Sequence, residues 1–511
     1  MSALSSPAVA NNGAVTGLPG FVEAHGRWTP QQYAAAGELA KLIADERLDL
    51  VRVGFTDPHG LVRSKCLSAK VFGEALHAGM DCSAFPFISD TGGDLVVDLF
   101  APGAGVGIAD LEGSSDIIIV PDPLTFRILP WTTARTGWIL CDEYSKSGEP
   151  LSLSPRAALK AQLDRLAQRA QSLVIGLEIE WHLTRLTDQP LQTDDIGGFG
   201  RPGSPPTVVP VNVGYQFNSD LLNDAVAGIV EPLCATLREL GLPLRSAEHE
   251  SGPGQLEFTF EPMDALAAAD AAVLFRSAVK QICWRHGYHA SFMCKPALQG
   301  FDPSGWHLHQ SLKDLQSGEN LFMSTDPDQL LSTVAADYVG GLVHHARESS
   351  LLTAPTVNGY QRYRDEHTLS PSVAGWSKDN RGAMIRVLGA PWDSSSHIEN
   401  RIGEPAANPY LYIASQVIAG IDGMDNHLDP GAMASDPHHH DGPAIATTFE
   451  DAVDGLDGSM LYRQHLGDHL VDMLLRMKRN EWKRFGGTRT EHATIANDVT
   501  DWEQREYFRF F

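Results

Sequence analysis

Residues 248–261 constrain the fold most, because they combine a glycine-proline turn with carboxylates on both sides. Glu250 precedes Gly252-Pro253-Gly254, and apolar and polar residues then alternate over residues 255–261. The glycines and the proline predict a tight turn, and the alternation predicts a strand leaving it. This geometry brings Glu250 close to Glu257. Two carboxylates at the mouth of a strand indicate either a divalent cation with oxygen ligands or a solvated turn with surface acids.

The charge of the chain limits its partners. Its 511 residues carry a formal net charge of -25, with a pI near 5.1. Nucleic acid and anionic membranes are themselves negative, so we expect neither as a partner. No run approaches about 18 apolar residues, and no basic segment followed by an apolar run opens the chain. The six cysteines form no CxxC pair, which is typical of reduced thiols, and we expect a cytoplasmic protein.

The N-terminal third predicts a small, mostly-β domain at residues 28–145. Residues 1–27 lack hydrophobic periodicity and are interpreted as a disordered arm. Thr29-Pro30 is a cap followed by proline, which predicts a helix to about residue 44. Strands are expected at residues 48–55, 61–67, 94–99, 116–120 and 137–141, the first two joined by a hairpin turn.

A second domain is predicted at residues 150–511, after a linker at residues 147–150. Its pattern changes to long helices that separate short strands. Helices are expected at residues 155–171, 220–240, 265–286 and 461–484. Several of the strands carry polar residues two positions apart, and such residues lie on the same face of a strand.

Two of these strands carry chemically reactive side chains. Glu178 and Glu180 share one face of an apolar strand, where they form either a buried salt bridge or a shared metal site. His307 and His309 share a face with Ser311. A lone histidine there is more often a core residue, but two in register with a hydroxyl indicate a phosphate or metal surface.

Arginines complete the pattern. Glu399 precedes Arg401, and Arg381 and Arg386 lie shortly before them in the sequence. Carboxylates, histidines and arginines together describe a two-metal site for ATP-dependent phosphoryl transfer. The chain has no GxxxxGK[ST] motif, so it is not a P-loop enzyme.

From about residue 48 onward, the chain resembles the glutamine synthetase family in the order and spacing of its motifs. These motifs are Gly-Leu-Glu-Ile-Glu at 176–180, Glu-x6-Glu at 250–257, Lys295-Pro296 before Trp306-His307-Leu308-His309, Asn380-Arg381, and Glu399-Asn400-Arg401 followed by residues 405–411. The resemblance implies an α+β fold: a β-grasp-like N-terminal domain and a catalytic domain whose curved antiparallel sheet is backed by helices. It also implies a homo-dodecamer of two stacked rings, with active sites between subunits.

The resemblance further implies a role for each matching residue. Ligands of the metal nearer the amino acid are Glu180, Glu250 and Glu257. Ligands of the metal that bridges the ATP phosphates are Glu178, His307 and Glu399. The implied cofactors are two or more Mg²⁺ or Mn²⁺ ions, with ATP as co-substrate. The implied contacts of the substrates are Arg362 on the α-carboxylate of glutamate, Arg381 and Arg401 on the transferring phosphoryl group and the γ-carboxylate, and His309, Ser311 and Arg386 on the nucleotide.

The sequence departs from the family at the amine site. True glutamine synthetases carry a glutamate there that helps to take a proton from ammonium, and alignment on Pro371 puts Leu369 or Ser370 in its place. Glu366 lies several residues upstream. Loss of this anion favours a γ-glutamyl-amine ligase acting on a polyamine, ethanolamine, an alkylamine or an aromatic amine.

Three other positions bear on the substrates. Asp81 corresponds either to the aspartate that reaches into a neighbouring subunit's ammonium site or to a plain loop acid. Asp302-Pro303 replaces the Asn-Gly that contacts the amino group of glutamate, which places Asp302 among the substrate contacts. His397 replaces an arginine usually found on the ATP phosphates.

Three hypotheses follow from the sequence. The first is an ATP-dependent γ-glutamyl-amine ligase. The second is an ordinary glutamine synthetase in which Glu366 serves the ammonium site. The third is a non-catalytic assembly or regulatory homologue, which we rank last because all six implied metal ligands are intact and buried unpaired carboxylates would destabilise the fold.

Overall fold

Two β-sheets organise the chain in the computed structural model, which describes residues 19–45, 47–187, 190–363, 369–488 and 499–511. The first sheet has six strands in the order β2-β1-β6-β4-β3, with β5 paired to β6. Its strands are β1 (Leu50–Thr56), β2 (Val62–Ser68), β3 (Met80–Ser83), β4 (Asp116–Pro121), β5 (Arg127–Ile128) and β6 (Thr136–Tyr144). The predicted hairpin is confirmed as β1 and β2, whereas β1 pairs with β6 in parallel.

Three helices pack near this sheet: α1 (Phe21–His25), α2 (Pro30–Ala44) and α3 (Ala69–Ala78). The predicted start of α2 is confirmed, and Thr29 forms a capping box with Gln32. The expected disordered arm is wrong for its last residues, because α1 buries Val22 completely in the first core. Residues 1–18 lie outside the described residues.

The strand expected at residues 94–99 is also wrong. Only an isolated bridge between Ser89 and Leu95 forms there. Asp90 accepts backbone hydrogen bonds from Gly92 and Asp94 at 3.0 and 2.9 Å, which folds the segment into a turn instead.

The second sheet has ten strands around the long central strand β7. Its strands are β7 (Gln171–Leu186), β8 (Val208–Pro210), β9 (Leu244–His249), β10 (Gln255–Phe260), β11 (Met263–Asp264), β12 (Tyr288–Ser291), β13 (Trp306–Asp314), β14 (Trp376–Lys378), β15 (Ile385–Leu388) and β16 (His397–Gly403). The main path is β14-β15-β16-β13-β7-β10-β9. All described pairs are antiparallel except β14 with β15. The predicted α+β class is confirmed.

Helices accompany the second sheet. They are α4 (Pro155–Gln168), α5 (Asp220–Glu239), α6 (Ala265–Arg285), α7 (Thr333–His344), α8 (Ala346–Thr353), α9 (Pro409–Asn426), α10 (Phe449–Asp457), α11 (Met460–Leu466), α12 (Asp468–Thr488) and α13 (Asp501–Tyr507). The single helix expected at residues 461–484 is wrong, because Gly467 has φ +86° and separates α11 from α12.

The alternation of β7 decides where the site lies. Its Ile175, Ile179 and Trp181 are fully buried in the second core. Because successive side chains of a strand point to opposite faces, Glu178 and Glu180 are directed to the other face. Burial of the apolar face thus fixes two carboxylates on the side that faces the cleft described below.

A buried charge cluster joins the two sheet regions near the predicted linker. The Arg156 side chain donates hydrogen bonds to Asp122 and Asp270, each at 2.8 Å, and to Asp142. Asp122 and Asp142 come from the first region, and Arg156 and Asp270 from helices of the second. A buried arginine with several carboxylates is strongly position-specific. The exact division into domains stays a prediction.

All six cysteines are free thiols, of which Cys66 is exposed on β2 and Cys234 is half-buried. No helix among the described residues is long and apolar enough to span a bilayer.

Candidate active site

One large cleft, about 1830 Å³ in volume, is lined by side chains of β7, β9, β10, β13 and β16. It collects most of the residues predicted from the sequence. These are Glu178, Glu180, Glu250, Glu257, Asp302, His307, His309, Ser311, Arg362, Arg381, Arg386 and Arg401. Residues separated by more than 200 positions in the chain therefore meet in one place.

Strand register brings the acidic residues together on β7. Glu180 lies opposite Glu257 of β10, and Glu178 lies opposite His307 of β13. The Nδ1 atom of His307 donates to Glu178 Oε1 at 2.6 Å. Glu180 and His307 are both buried, so their polar atoms need partners within the cleft.

The turn between β9 and β10 holds Glu250. Its backbone N–H donates to the Gln255 carbonyl at 2.8 Å, and Gln255 N–H donates to the Gly252 carbonyl at 3.1 Å. Gly254 has φ +63°, and a Cβ there would lie 2.2 Å from the Leu183 carbonyl oxygen. The predicted tight turn is confirmed, and only glycine fits at this position.

The carboxylates of this cluster repel one another. Burial and the Glu250 charge raise the pKa of Glu180 to about 8, and burial and the Glu178 charge raise the pKa of Glu250 to about 7. Burial with Glu178 and Glu180 raises the pKa of Glu257 to about 10. Glu178 differs: burial opposes its ionisation, but hydrogen bonds from His307 and His309 hold its pKa well below the usual range.

Two groups of side chains have the spacing of metal ligands. One joins Glu178, Glu257 and His307, and the other joins Glu178, His309 and Glu399; within each group the ligand atoms lie within 4.8 Å of one another. Carboxylate oxygens and imidazoles suit Mg²⁺ and Mn²⁺. The surplus of mutually repelling carboxylates fits a site built to hold cations.

This grouping differs from the sequence prediction, because Glu257 joins Glu178 and His307 rather than Glu180 and Glu250, and His309 joins Glu178 and Glu399. The sequence predicted that His309 contacts the nucleotide. In the structure, His309 Nε2 lies 3.0 Å from Glu178 Oε2, within one of the two groups with metal-ligand spacing. His397, which stands where the family has an arginine, places its Nε2 3.1 Å from His309 Nδ1. His397 also donates from Nδ1 to the Ser395 carbonyl at 2.6 Å. The two rings therefore extend the ligand cluster along the cleft.

Glu399 lies just beneath the cleft surface and is fully buried. It accepts hydrogen bonds from Arg386 Nη1 at 3.1 Å and from Arg401 Nη1. Arg401 also donates from Nε to the Arg381 carbonyl at 2.8 Å. The Glu399 carboxylate thus positions Arg386 and Arg401, and the Arg381 carbonyl also holds Arg401.

The Arg362 guanidinium is buried and braces the end of β16. It donates to the carbonyls of Ile402 and Gly403 at 3.1 and 2.7 Å and to the Arg401 carbonyl at 3.0 Å. Its Nε donates to Ser370 Oγ at 3.1 Å. These bonds fix the guanidinium plane at the cleft wall.

Asp302 and Pro303 lie at the same end of the cleft as Glu180. Asp302 Oδ2 accepts from Ser251 Oγ at 3.3 Å. The Pro303 carbonyl accepts from Gln255 Nε2 at 3.3 Å. At these two positions, where the family has Asn-Gly, the Pro303 carbonyl is still a hydrogen-bond acceptor and Asp302 adds a negative charge.

Asp81 does not line the cleft in the described structure. Asp81 is exposed on β3 of the first sheet, where its carbonyl accepts from Lys65 Nζ at 2.6 Å. Its predicted role in a neighbouring subunit stays a prediction. Glu366 lies outside the described residues. At the position aligned with the missing glutamate, Ser370 bonds Arg362 while Leu369 is exposed in the cleft.

Sequence reasoning gave no role to Gln255, which the structure places at the centre of the site. Its Nε2 donates to Glu180 Oε2 at 2.8 Å and to Ser304 Oγ at 3.1 Å, and its side chain is buried. Its place directly after the Pro-Gly turn is the one signal that pointed to it. Phe217, exposed in the same cleft, left no signal in the sequence.

The chain is similar in sequence and in structure to several known proteins. The profile of the glutamine synthetase catalytic domain matches residues 152–507. The gamma-glutamylanilide synthase of Acinetobacter sp is 41% identical over 96% of this chain and 98% of its own length. The glutamate–isopropylamine ligase of Pseudomonas sp is 31% identical over 76% of this chain and 80% of its own length.

Other matches agree with these. Glutamine synthetases of archaea and bacteria match at 27–30% identity. A solved structure described as apo GmaS without ligand superposes with a TM-score of 0.73 and 27% identity, covering 91% of this chain and 98% of that one.

Proposed function

Because the chain belongs to the glutamine synthetase family and is an amide-forming ligase, we propose that it joins glutamate to an organic amine at the expense of ATP. The γ-carboxylate is activated as γ-glutamyl phosphate, and the products are a γ-glutamylamide, ADP and phosphate. The acceptor is a polyamine, ethanolamine, an alkylamine or an aromatic amine. The relatives named for anilide and isopropylamide synthesis support this class.

The observation that carries the proposal is the meeting of acids, histidines and arginines in one cleft. Glu178, Glu257 and His307 lie within ligand distance of one another, and Arg381 and Arg401 line the same cleft. Arginines beside a carboxylate-rich cation site are the components that phosphoryl transfer requires.

Two or more Mg²⁺ or Mn²⁺ ions are the proposed cofactors. Glu180, Glu250 and Glu257 would hold one ion, and Glu178, His307 and Glu399 the other. Such ions neutralise phosphate charge and align the attacking and leaving oxygens when they are bound. The raised pKa values of Glu180, Glu250 and Glu257 support this assignment, because burial and neighbouring carboxylates make each charge unfavourable in the protein alone.

The chain's own residues position the two substrates along β7. His309 and Ser311 would contact the nucleotide where β13 pairs with residues 174–176, and Arg386 would contact it from β15. Arg362 would bind the α-carboxylate of glutamate, and Asp302 its α-ammonium group. This places the γ-carboxylate near Glu180, between the two ends.

The reaction proceeds in two displacements. A γ-carboxylate oxygen attacks the γ-phosphorus of ATP, the bond to the bridging oxygen breaks, and ADP leaves. Arg381 and Arg401 stabilise the negative charge on the transferring phosphoryl group. The amine nitrogen then attacks the acyl carbon, a C–N bond forms, and phosphate leaves with the proton released by nitrogen.

We also propose that the enzyme is cytoplasmic and assembles as a homo-dodecamer of two stacked rings, with Asp81 of one subunit reaching the active site of the next. The exposure of Asp81 on β3 supports this, because its side chain is accessible to a neighbour. The molar mass from light scattering tests the assembly.

Phosphate release from ATP tests the activity. The purified protein is given glutamate and Mg²⁺ with ammonium, ethanolamine, putrescine, spermidine, isopropylamine or aniline, and product masses are recorded. We expect strong release with one organic amine and little with ammonium. Ammonium as the best substrate would identify a glutamine synthetase. No phosphate release with any of the amines would support a non-catalytic homologue.

A further inference from the structure

Two large apolar side chains stand exposed in the cleft. Among the large apolar side chains that the structure describes as exposed, only Phe217 and Leu369 line it. Phe217 is 63% exposed and Leu369 is 68% exposed. Exposed apolar surface in a concave site is a place where a ligand gains by burial.

Hydrogen bonds place Phe217 beside the acidic turn. The next residue, Asn218, donates from its backbone to the His249 carbonyl at 3.0 Å and from Nδ2 to Glu248 at 3.4 Å. Tyr215 donates from its backbone to the Ser251 carbonyl at 2.6 Å. The segment that carries Phe217 is thus attached to both sides of Glu250.

Leu369 lies at the same end of the cleft. Its neighbour Ser370 accepts from Arg362 Nε at 3.1 Å. A Cβ on Gly305 would lie 3.2 Å from both Arg362 Nη2 and Glu180 Oε1, so this arginine adjoins the carboxylate opposite Glu257. Phe217 and Leu369 therefore both flank the end of the cleft where the amine would attack the acyl carbon of γ-glutamyl phosphate.

The chemistry of amines decides which acceptor suits such a lining. Ammonium and alkylamines are cations at neutral pH, and contact with apolar side chains removes water from the charge at a high energetic cost. An aromatic amine is neutral, because its lone pair is delocalised into the ring. It presents a flat apolar body together with a nitrogen that needs no deprotonation before attack.

We infer that Phe217 and Leu369 form an acceptor subsite that selects an aromatic amine, an inference that rests on the ligase activity proposed above. The neutral nitrogen attacks the acyl carbon of γ-glutamyl phosphate, and the C–N bond forms as the C–O bond to phosphate breaks. The departing phosphate takes the electron pair and the one proton lost by nitrogen, and leaves as hydrogenphosphate. No further reactant is needed.

Substrate pairs matched in shape test the subsite in the wild-type enzyme. Aniline and cyclohexylamine have similar size, but only cyclohexylamine is a cation at neutral pH. We expect kcat/KM to fall in the order aniline, cyclohexylamine, ammonium. Cyclohexylamine or ammonium as the better substrate would overturn the inference.

Two variants test the named residues. Phe217→Ala and Leu369→Asn should each lower the ratio of kcat/KM for aniline to that for hydroxylamine about tenfold, the usual effect of removing an apolar contact from a specificity pocket. Hydroxylamine is the reference because it traps γ-glutamyl phosphate as a hydroxamate and has no apolar body. An unchanged ratio in both variants would overturn the inference.

Matched controls separate the subsite from general surface effects. Tyr215 and Leu315 are 73% and 50% exposed and do not line the cleft. Tyr215→Ala and Leu315→Asn should leave the ratio unchanged, and a tenfold fall in either would count against a specific subsite. If the wild type forms no hydroxamate from glutamate and ATP, the ligase activity itself fails; normal hydroxamate without a preference for aniline overturns only the subsite.

Discussion

Glu257 lies directly opposite Glu180 in the antiparallel pairing of β10 with β7. Like charges that face each other across a sheet destabilise it. Burial and neighbouring carboxylates accordingly raise the pKa of Glu180 to about 8 and that of Glu257 to about 10. We propose that a bound cation relieves this repulsion, and substitution of one carboxylate tests for it.

We expect Glu257→Gln to reduce amide formation about 100-fold, the upper range for loss of a group that supports a metal. At neutral pH the metal-free variant should unfold at a higher temperature than the metal-free wild type, because a glutamine needs no proton, whereas Glu257 with its raised pKa must take one up on folding. Mg²⁺ should raise the melting temperature of the variant less than that of the wild type. Thermal unfolding with Mg²⁺ and with EDTA measures both effects.

The matched control is Glu261→Gln, an exposed residue one position beyond the end of β10. It should respond to Mg²⁺ as the wild type does. Equal stabilisation of the Glu257→Gln variant and the wild type by Mg²⁺ would contradict the metal assignment.

Arg362→Lys should lower both stability and affinity for glutamate. The guanidinium donates to the carbonyls of Arg401, Ile402 and Gly403, and an ammonium group cannot reproduce this fork. Unsatisfied buried carbonyls should reduce the free energy of unfolding by about 1–3 kcal/mol. The KM for glutamate should rise at least tenfold, as measured by the dependence of phosphate release on glutamate.

Arg347→Lys is the control for that substitution. Arg347 is exposed and bonds Asp451 at the surface, so its change should stay within about 0.5 kcal/mol. If the Arg362→Lys variant kept the wild-type KM for glutamate, Arg362 would not be a residue that binds glutamate.

Glu143 predicts a pH dependence of stability. It is almost fully buried, accepts a hydrogen bond from Ser154, and burial raises its pKa from 4.5 to about 8. The folded state keeps this proton up to about pH 8, whereas the unfolded state releases it near pH 4.5. Between these values the free energy of unfolding should fall by up to about 1.4 kcal/mol per pH unit.

Glu143→Gln removes this titration, so urea unfolding of the variant at pH 5, 6.5 and 8 should depend less on pH than that of the wild type. Glu149→Gln, at an exposed position nearby, should keep the wild-type slope. Parallel slopes for Glu143→Gln and the wild type would show that Glu143 is ionised in the folded protein.

Leu369→Glu should shift the acceptor preference toward ammonium. It introduces a carboxylate at Leu369, which with Ser370 is one of the two positions aligned with the glutamate of glutamine synthetases, and this side chain already faces the cleft. The ratio of kcat/KM for ammonium to that for aniline should rise about tenfold. Leu315→Glu is the control outside the cleft, and an unchanged ratio in Leu369→Glu would speak against an acceptor site at this residue.

The sequence predicted the faces of the catalytic strands well. Period-two alternation suffices to put Glu178 and Glu180 on one side of β7 and Ile179 on the other, because the pleat fixes side-chain direction. The partners of β7 are a different matter. The register of Glu180 with Glu257 depends on pairing across more than 70 residues, and the family resemblance rather than the alternation indicated it.

Side chains whose role depends on distant neighbours could not be predicted. Gln255 contacts Glu180 and Ser304, and its place after the Pro-Gly turn does not by itself predict either contact. The exposure of Phe217 is set by the segment bonded to the acidic turn. The break at Gly467 was missed because helical periodicity continues on both sides of it.

Gly254→Ala should disturb the turn that positions Glu250. Its φ of +63° disfavours alanine by about 1–2 kcal/mol, and the added Cβ would lie 2.2 Å from the Leu183 carbonyl oxygen. Gly26→Ala is the control, because Gly26 has φ +59° and alanine there has the same backbone penalty. No atom lies within 4 Å of the Cβ position of Gly26, so this variant adds no steric clash. We expect Gly254→Ala to lose more free energy of unfolding than Gly26→Ala and to need a higher Mg²⁺ concentration for half-maximal activity. Equal losses of stability and an unchanged Mg²⁺ requirement in both variants would mean that the turn does not position a metal ligand.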